Sequence, residues 1–578
     1  MARGPQPAAM IESPVLAELG RLFSRLDPDW DQHCAAILSD LVQANQQGHV
    51  CLPLSQHGSR QRLSRSPLVG GPGQYAPLIL DPQHGLYFAR HWFDETRLAR
   101  QLLLRAASGA IPDAARVRPW LERLFPASAA DGPDLQKQAA ALAVRQPFLV
   151  ISGGPGTGKT TTVVRLLALL AALSARPLVM ALAAPTGKAA ARLSESMRAA
   201  ADRLPVAAEI RQQLPGTAQT LHRLLGLRPG VAEPRFHAAN PLPLDLLVVD
   251  EASMIDLGLM AQMVDALPRH ARLIMLGDRD QLASVDAGAV LAELCQHVVY
   301  RRSTMHWLAE LDCAAADAPS CADQQGGLAD CVALLTRSHR FSADSGIGAL
   351  SRLVNGNQPA AARELLQSGR YADLAHQAQL DAEDLYLQRT SYWQALRAQA
   401  GADTLQQAFA TFMPLVSERR QVSELNRMIE DRLERDGLKP REQSWYHGRP
   451  VMIATNDYGL GLFNGDIGFA LQQADGLRVL FPAEDGSWRA FAPGRLPEHE
   501  TVYAMTVHKS QGSEFERVWL LMPRAGAALP ERALVYTAIT RARRHFTLCG
   551  GCDTLEAAIA HAPQRFSGLA QRMRVGVS

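Results

Sequence analysis

Two groups of residues in this sequence have the types and spacing for phosphate chemistry. Gly153-Gly154-Pro155-Gly156-Thr157-Gly158-Lys159-Thr160 fits G-x-x-x-x-G-K-T. The apolar run Phe148 to Ile151 before it predicts a buried strand, and Thr161 to Ser174 after it predicts a helix. That strand–loop–helix context is the one a phosphate-binding loop requires. Its glycines let the backbone wrap closely around phosphates, where N–H groups and the helix N-terminus both favour an anion. Lys159 is then placed to reach the β- and γ-phosphates, and the Thr160 hydroxyl to ligate Mg²⁺, with Thr161 opening the helix. The second group is Asp250-Glu251, which ends the apolar run Leu246 to Val249 about 90 residues later. An aspartate there can hold Mg²⁺ through water. The neighbouring glutamate can orient and deprotonate the water that attacks the γ-phosphate. Acidic residues also suit any helix N-terminus; the phosphate loop is what gives this pair its meaning. Gln136, ahead of the loop strand, could read an adenine edge with its amide, although any surface helix can contain such a residue.

These residues need a scaffold that gathers strand ends. Leu178 to Ala183, Leu246 to Val249 and Arg272 to Leu276 read as strands alternating with helices, each followed by a polar motif. Such alternation predicts a parallel α/β sheet with its site along the carboxyl edge. The second half repeats the theme without a second phosphate loop. Phe412 to Val416 and Val518 to Met522 predict strands; Val422 to Leu433 and Leu534 to Arg543 predict helix. Between them, Val451 to Ala454, Ile467 to Leu471, Arg478 to Phe481 and Ser487 to Phe491 are short alternating runs separated by turn residues. They predict a small inserted β-barrel. Residues 1–115 predict a mainly helical accessory domain: Val15 to Phe23, Cys34 to Ala44 and Thr96 to Ala106 read as helices, and Ser55 to Gln74 as loop. Pro126 to Pro133 is a linker candidate and Arg301 to Asp330 reads as loop.

Composition excludes several classes. The 578 residues are long enough for about three or four domains, and 47% hydrophobic with 20% charged is ordinary for a globular chain. A net charge of only +2 means that any nucleic-acid site must be a local groove. Met1 to Met10 has no apolar core of signal-peptide length, and Leu166 to Leu173 is too short to span a bilayer. A cytoplasmic protein is expected. The eight cysteines are scattered. Cys295, Cys313, Cys321 and Cys331 lack metal-ligand spacing, and Cys549-Gly550-Gly551-Cys552 stands outside any thioredoxin-like unit.

In order along the chain, Gly153 to Thr160, Ala184 to Ala190, Asp250 to Ser253, Gly277 to Gln281, Ser338 to Phe341, Val507 to Glu514 and Val535 to Arg543 resemble the motifs of a superfamily 1 helicase. More narrowly, Arg337 to Gly348, Asn464-Gly465-Asp466 and Thr506 to Phe515 resemble the RecD family, the α subunits of exodeoxyribonuclease V. The resemblance covers the chain from about Leu135 onward. It implies an α/β architecture of two RecA-like ATPase domains, with an SH3-like β-barrel insertion and ATP and Mg²⁺ in the cleft between the domains. The implied division is 116–340 for the first domain, 341–440 and 501–578 for the second, and 441–500 for the insertion. The first domain would supply Lys159, Thr160, Asp250, Glu251 and Gln281; Arg340 and Arg541 match the arginines that reach across, and Gly512 matches a nucleotide-contacting position. Thr186, Lys188, Thr220, His222, Thr506, His508 and Lys509 match motifs that grip the backbone of single-stranded DNA. A 5′-to-3′ direction follows from that analogy alone. The implied partners are single-stranded and duplex-end DNA and RecB-like and RecC-like subunits, in double-strand-break repair by homologous recombination. No acidic nuclease constellation is present, so the chain reads as a motor. A stand-alone RecD-like helicase is the alternative; an RNA helicase fits Asp250 to Asp256 and Val507 to Phe515 less well. A degenerate scaffold would have lost Lys159, Glu251 or Arg541, and all three are present.

Overall fold

The computed structural model describes residues 14–575, apart from 55–56, 108, 127–132, 229, 232, 314–318, 323–326, 343, 458, 484–485, 525–526 and 563–564. Met1 to Met10 and most of the expected linker Pro126 to Pro133 lie outside the described residues.

Two parallel sheets dominate. In the first, the strands run in the order Val332–Leu335, Phe148–Gly153, Arg272–Gly277, Leu246–Val249, Met180–Ala184, Ala218–Thr220, every neighbouring pair parallel. The central strands are continuous apolar runs because helices cover both faces, so no residue of Leu246–Val249 or Phe148–Gly153 is left exposed. In the second sheet the order is Leu374–Gln377, Ala542–Cys549, Phe515–Leu521, Phe412–Val416, Met505–Thr506, again all parallel. Helix Arg532–Thr540 ends earlier than expected. Ala542 and Arg543, expected in that helix, begin the strand Ala542–Cys549, and Arg541 is the helix C-cap.

The insertion is a five-stranded antiparallel sheet ordered Trp488–Phe491, Gly476–Pro482, Ile467–Gln473, Pro450–Ile453, His499–Thr501. It has its own small core of Val451, Ile453, Leu462, Ala470, Val479 and Phe481.

The N-terminal region departs from its expectation. Helices Pro14–Leu26, Gln32–Gln46, His57–Leu63 and Ala89–Ala106 are present, but they surround a four-stranded sheet. Its strands are Cys51–Leu52, Gly85–Phe88, Leu78–Asp81 and Val69–Gly70, in that order. Ser55 to Gln74 therefore holds a helix and a short strand rather than loop alone. Strands of two to four residues give too little alternation to read; the hairpin turn at Asp81 was the available signal. Its Oδ1 accepts from Gln83 N (2.9 Å) and His84 N (3.1 Å), as an Asx turn does. Helix Ala89–Ala106 then welds this region to the first ATPase domain. Leu98 and Leu102 share a core with Met260 and Val264, and Arg105 donates to Leu267 O and Ala271 O at 2.8 and 2.7 Å.

Two further expectations are corrected. Arg301 to Asp330 contains helix Arg302–Glu310, anchored by buried Trp307 and Leu308 in the first domain's core. The described C-terminal residues from Arg565 onward, including helix Leu569–Val575, pack not in the second ATPase domain but against the first domain and the N-terminal region. Leu569 and Met573 join the core around Trp92, while Arg572 bonds Glu95 and Asp81, each at 2.8 Å. A four-residue apolar spacing says that a face will be buried, but not against what.

Candidate nucleotide cleft and nucleic-acid face

The strand Phe148–Gly153 delivers the chain into the loop, and helix Lys159–Leu173 leaves it. Gly156 and Gly158 sit at φ +76° and +80°, left-handed conformations that a side chain would strain. Packing also requires glycine at Gly156, where a Cβ would lie 2.3 Å from Arg340 Cβ; at Gly158 it would meet only the movable end of Gln136, Nε2 at 2.3 Å. Lys159 Nζ donates to Gly153 O and Gly154 O, and Thr157 Oγ1 to Gly154 O, which fixes the loop's curvature. Gln136 donates to Thr157 O (3.0 Å) and lies 3.2 Å from His339 Nε2. It braces the loop from outside rather than lining the cleft.

Around the loop is a cavity of about 290 Å³ lined by Pro155 to Thr161, Asp250, Glu251, Asp278 and Gln281 from the first domain. Gly512, Glu514 and Arg541 complete it from the facing side, and Arg340 from the segment bonded to the phosphate loop. Glu251 is held at φ +51°, an uncommon conformation for a side-chain-bearing residue; its N–H donates to Asp250 Oδ1 at 2.8 Å. Burial, with the Glu251 carboxylate next to it, pushes the Asp250 pKa up. Two carboxylates held together next to Lys159 favour a cation between them and a phosphate. Thr160 and Asp250 offer oxygen ligands only, as Mg²⁺ prefers. No cluster of three or more His, Cys, Asp or Glu suited to a metal occurs among the described residues. Their fit is therefore to an ion shared with phosphates and water, not to an all-protein cage.

The facing side is bonded across the cleft. Tyr536 donates to Asp278 Oδ2 (2.9 Å), Gln281 Nε2 to the same oxygen (3.2 Å), and Leu282 N to Thr537 Oγ1 (3.0 Å). Ser338 Oγ donates to Pro155 O and His339 N to Gly156 O, seating Arg340 directly on the phosphate loop. Arg541 is buried, with Nη1 on Ser513 O at 3.2 Å. Burial lowers its pKa, and the Glu251 and Glu514 carboxylates oppose that shift. Asp278, Tyr536 and Glu514 belong to the quoted motifs but were not assigned roles. Arg192, also in the cavity wall, lies two residues beyond the nearest motif. Its only signal was helical spacing, one turn after Lys188.

The nucleic-acid candidates lie at the far edges of the two sheets. Ala184 pairs with Thr220, and Val416 with Thr506, so Thr186, Thr220 and Thr506 follow edge or next-to-edge strands. Thr186 and Thr220 also cap helices, accepting from Ala189 N and Arg223 N, and Thr506 accepts from Lys509 N. His222 and His508 are half-buried; burial, with Arg565 and Arg419 nearby, lowers the His508 pKa. Lys509 pairs with Glu500 of the insertion at 2.6 Å. Lys188 is the exception. Its Nζ bonds Ser513 Oγ, and burial lowers its pKa to about 8, with Arg192 adding to the shift and Asp466 opposing it. Phe463 of the insertion covers neighbouring Gly187. The structure thus commits Lys188 to contacts between domains.

Cys549 and Cys552 are both buried free thiols, and burial raises both pKa values, that of Cys549 to about 12. Among the described residues, no helix is long and apolar enough to cross a membrane.

Comparison with known proteins agrees with this geometry. An AAA-domain family matches residues 136–287, and a UvrD-like helicase C-terminal domain matches 501–549. The RecBCD enzyme subunit RecD of Mycolicibacterium smegmatis is 37% identical over 95% of this chain and 94% of its own. That of Haemophilus influenzae is 37% identical over 86% of this chain and 81% of its own. The ATP-dependent RecD2 DNA helicase of Deinococcus radiodurans is 30% identical over 74% of this chain but 50% of its own. With a phosphate loop, paired acids and arginines in one cleft, and with this extent of identity, the chain belongs to the RecD family.

Proposed function

We propose that this chain is the ATP-driven 5′-to-3′ single-stranded DNA motor of a RecBCD-type helicase–nuclease, acting with RecB-like and RecC-like subunits on duplex DNA ends in recombinational repair in the cytoplasm. The observation that carries the reading is the placement of Arg340 and Arg541 in the same cavity wall as Lys159, Asp250 and Glu251. Lys159 and the loop amides hold the phosphates, and Glu251 orients the attacking water and takes its proton. Thr160 and Asp250 would hold Mg²⁺, which neutralises charge on the β- and γ-phosphates when bound. Arg340 and Arg541 stabilise the charge that builds on the transferring phosphoryl group. Because Arg541 comes from the facing side, hydrolysis depends on closure of the two domains, and closure shifts Thr186 and Thr220 relative to Thr506 along the strand.

The reading of a complex subunit over a stand-alone helicase is supported by coverage: similarity spans nearly all of the M. smegmatis RecD and half of the D. radiodurans RecD2. Unwinding of duplexes with 5′ or 3′ single-stranded tails, beside Lys159→Gln, tests the proposal. Unwinding from 5′ tails only, lost in the variant, is expected. Unwinding from 3′ tails only would overturn the direction.

A further inference from the structure

Arg340 has an unusual environment. Its Nη2 is fixed by Glu514 Oε1 at 2.8 Å. Its Nη1 is buried with no hydrogen-bond partner among the described residues, in a side chain lining the nucleotide cavity. A guanidinium presents its donors as a rigid fork, so anchoring one nitrogen aims the other. A buried donor without an acceptor is costly, which points to an anion as its proper partner.

Glu514 does more than hold Arg340. Its Oε2 lies 3.4 Å from Arg192 Nη2 and 2.9 Å from Arg543 Nη2. Arg192 also donates to Gly512 O at 2.7 Å. Three guanidinium groups therefore meet one carboxylate: Arg192 from the first domain, Arg340 from the segment on the phosphate loop, and Arg543 from the second domain. Glu514 is mostly buried, and the guanidinium groups hold its pKa down near 2 against the opposing effect of burial. Arg192 lies on helix Gly187–Ala201, whose N-cap is Thr186, a nucleic-acid candidate. One helix thus runs from its Thr186 cap to Arg192 in the wall of the nucleotide cavity.

We propose that Glu514 is a positioning residue that aims Arg340 at the terminal phosphate, and that the Arg192–Glu514 pair ties this aim to the helix beginning at Thr186, so that DNA on that helix raises ATP turnover. The inference rests on the motor reading above and adds to it the residues that carry the coupling. Glu514 acts through Arg340; it does not itself touch the reacting atoms.

A double-mutant cycle on the full chain, measuring ATP turnover with and without oligo(dT), tests it. Affinity for a fluorescent ADP analogue, read in parallel, reports an intact cleft. Glu514→Gln is expected to lower DNA-stimulated kcat about tenfold or more and to lower the ratio of stimulated to basal rate. KM for ATP and ADP-analogue affinity are expected to stay within about twofold, and Glu514→Asp to restore part of the loss. In an Arg340→Ala background, Glu514→Gln should cost less than about twofold more, because the group it aims is gone. Arg192→Gln should lower the stimulation ratio in wild type and hardly at all in Glu514→Gln. Wild-type turnover that DNA stimulates, with Glu514→Gln within twofold of it, would overturn the proposal; so would fully additive losses in the cycle. A wild-type chain with no DNA-stimulated turnover would overturn the motor reading and this inference together.

Discussion

The two parallel sheets have the same architecture and opposite chemistry. The first ends its central strands in a phosphate loop and in Asp250-Glu251, to which the proposed function assigns nucleotide holding and water activation. The second has no such loop; beside the same cavity it places Gly512, Glu514 and Arg541. The difference separates grip from trigger. A residue of the first sheet contributes in both the bound ground state and the transition state, whereas the facing Arg541 contributes chiefly where charge develops. On the proposed function, movement follows from that separation, since only a closed pair of domains would be a complete catalyst.

The sharpest way to break this contrast is Arg541→Ala. It is expected to lower kcat about 10³-fold while nucleotide affinity changes only a few-fold, read by ATPase assay and equilibrium binding. Lys159→Gln should behave differently, losing about 10²–10³ in turnover and much of its nucleotide affinity as well. On the first domain's scaffold side, Arg105→Ala should destabilise the chain by about 2–3 kcal/mol, because three backbone carbonyls lose a charged donor. Its thermal midpoint should fall while ATP turnover per folded chain stays as in wild type. Lys509→Ala should weaken single-stranded DNA binding uniformly across sequences and lower the salt slope by about 1, whereas Lys188→Ala should leave that slope unchanged.

The smallest expected effect is on pH dependence. Glu514 has a folded-state pKa near 2, below the usual 4.5. Its folded form binds fewer protons, so its contribution is fully present above about pH 4.5 and is lost as pH falls through about 2. The difference in unfolding midpoint between wild type and Glu514→Gln should shrink across that acid window and stay level above it.

Legibility in the sequence followed contiguity. The phosphate loop and Asp250-Glu251 could be read because strand, turn and chemistry are consecutive residues. The short runs of the insertion could be read because Gly, Asn and Asp punctuate them; they form strands at Pro450–Ile453, Ile467–Gln473, Gly476–Pro482 and Trp488–Phe491. Arg192, the three-arginine cluster on Glu514 and the Tyr536–Asp278 bond were not readable, since each depends on residues more than two hundred positions apart or on which helix face meets the cleft. The same holds for the C-terminal helix on Trp92 and Glu95. Lys188 shows the converse: a residue type and position that suit DNA, turned instead to Ser513 by the packing of the insertion at Gly187.

The central claim is that the second sheet triggers what the first sheet holds. ATP turnover titrated with single-stranded DNA, for wild type and Arg541→Ala at matched nucleotide and DNA occupancy, tests it most directly. Wild-type turnover is expected to rise with DNA while the variant, equally loaded, stays flat. A variant whose turnover rises in parallel with wild type would contradict the account.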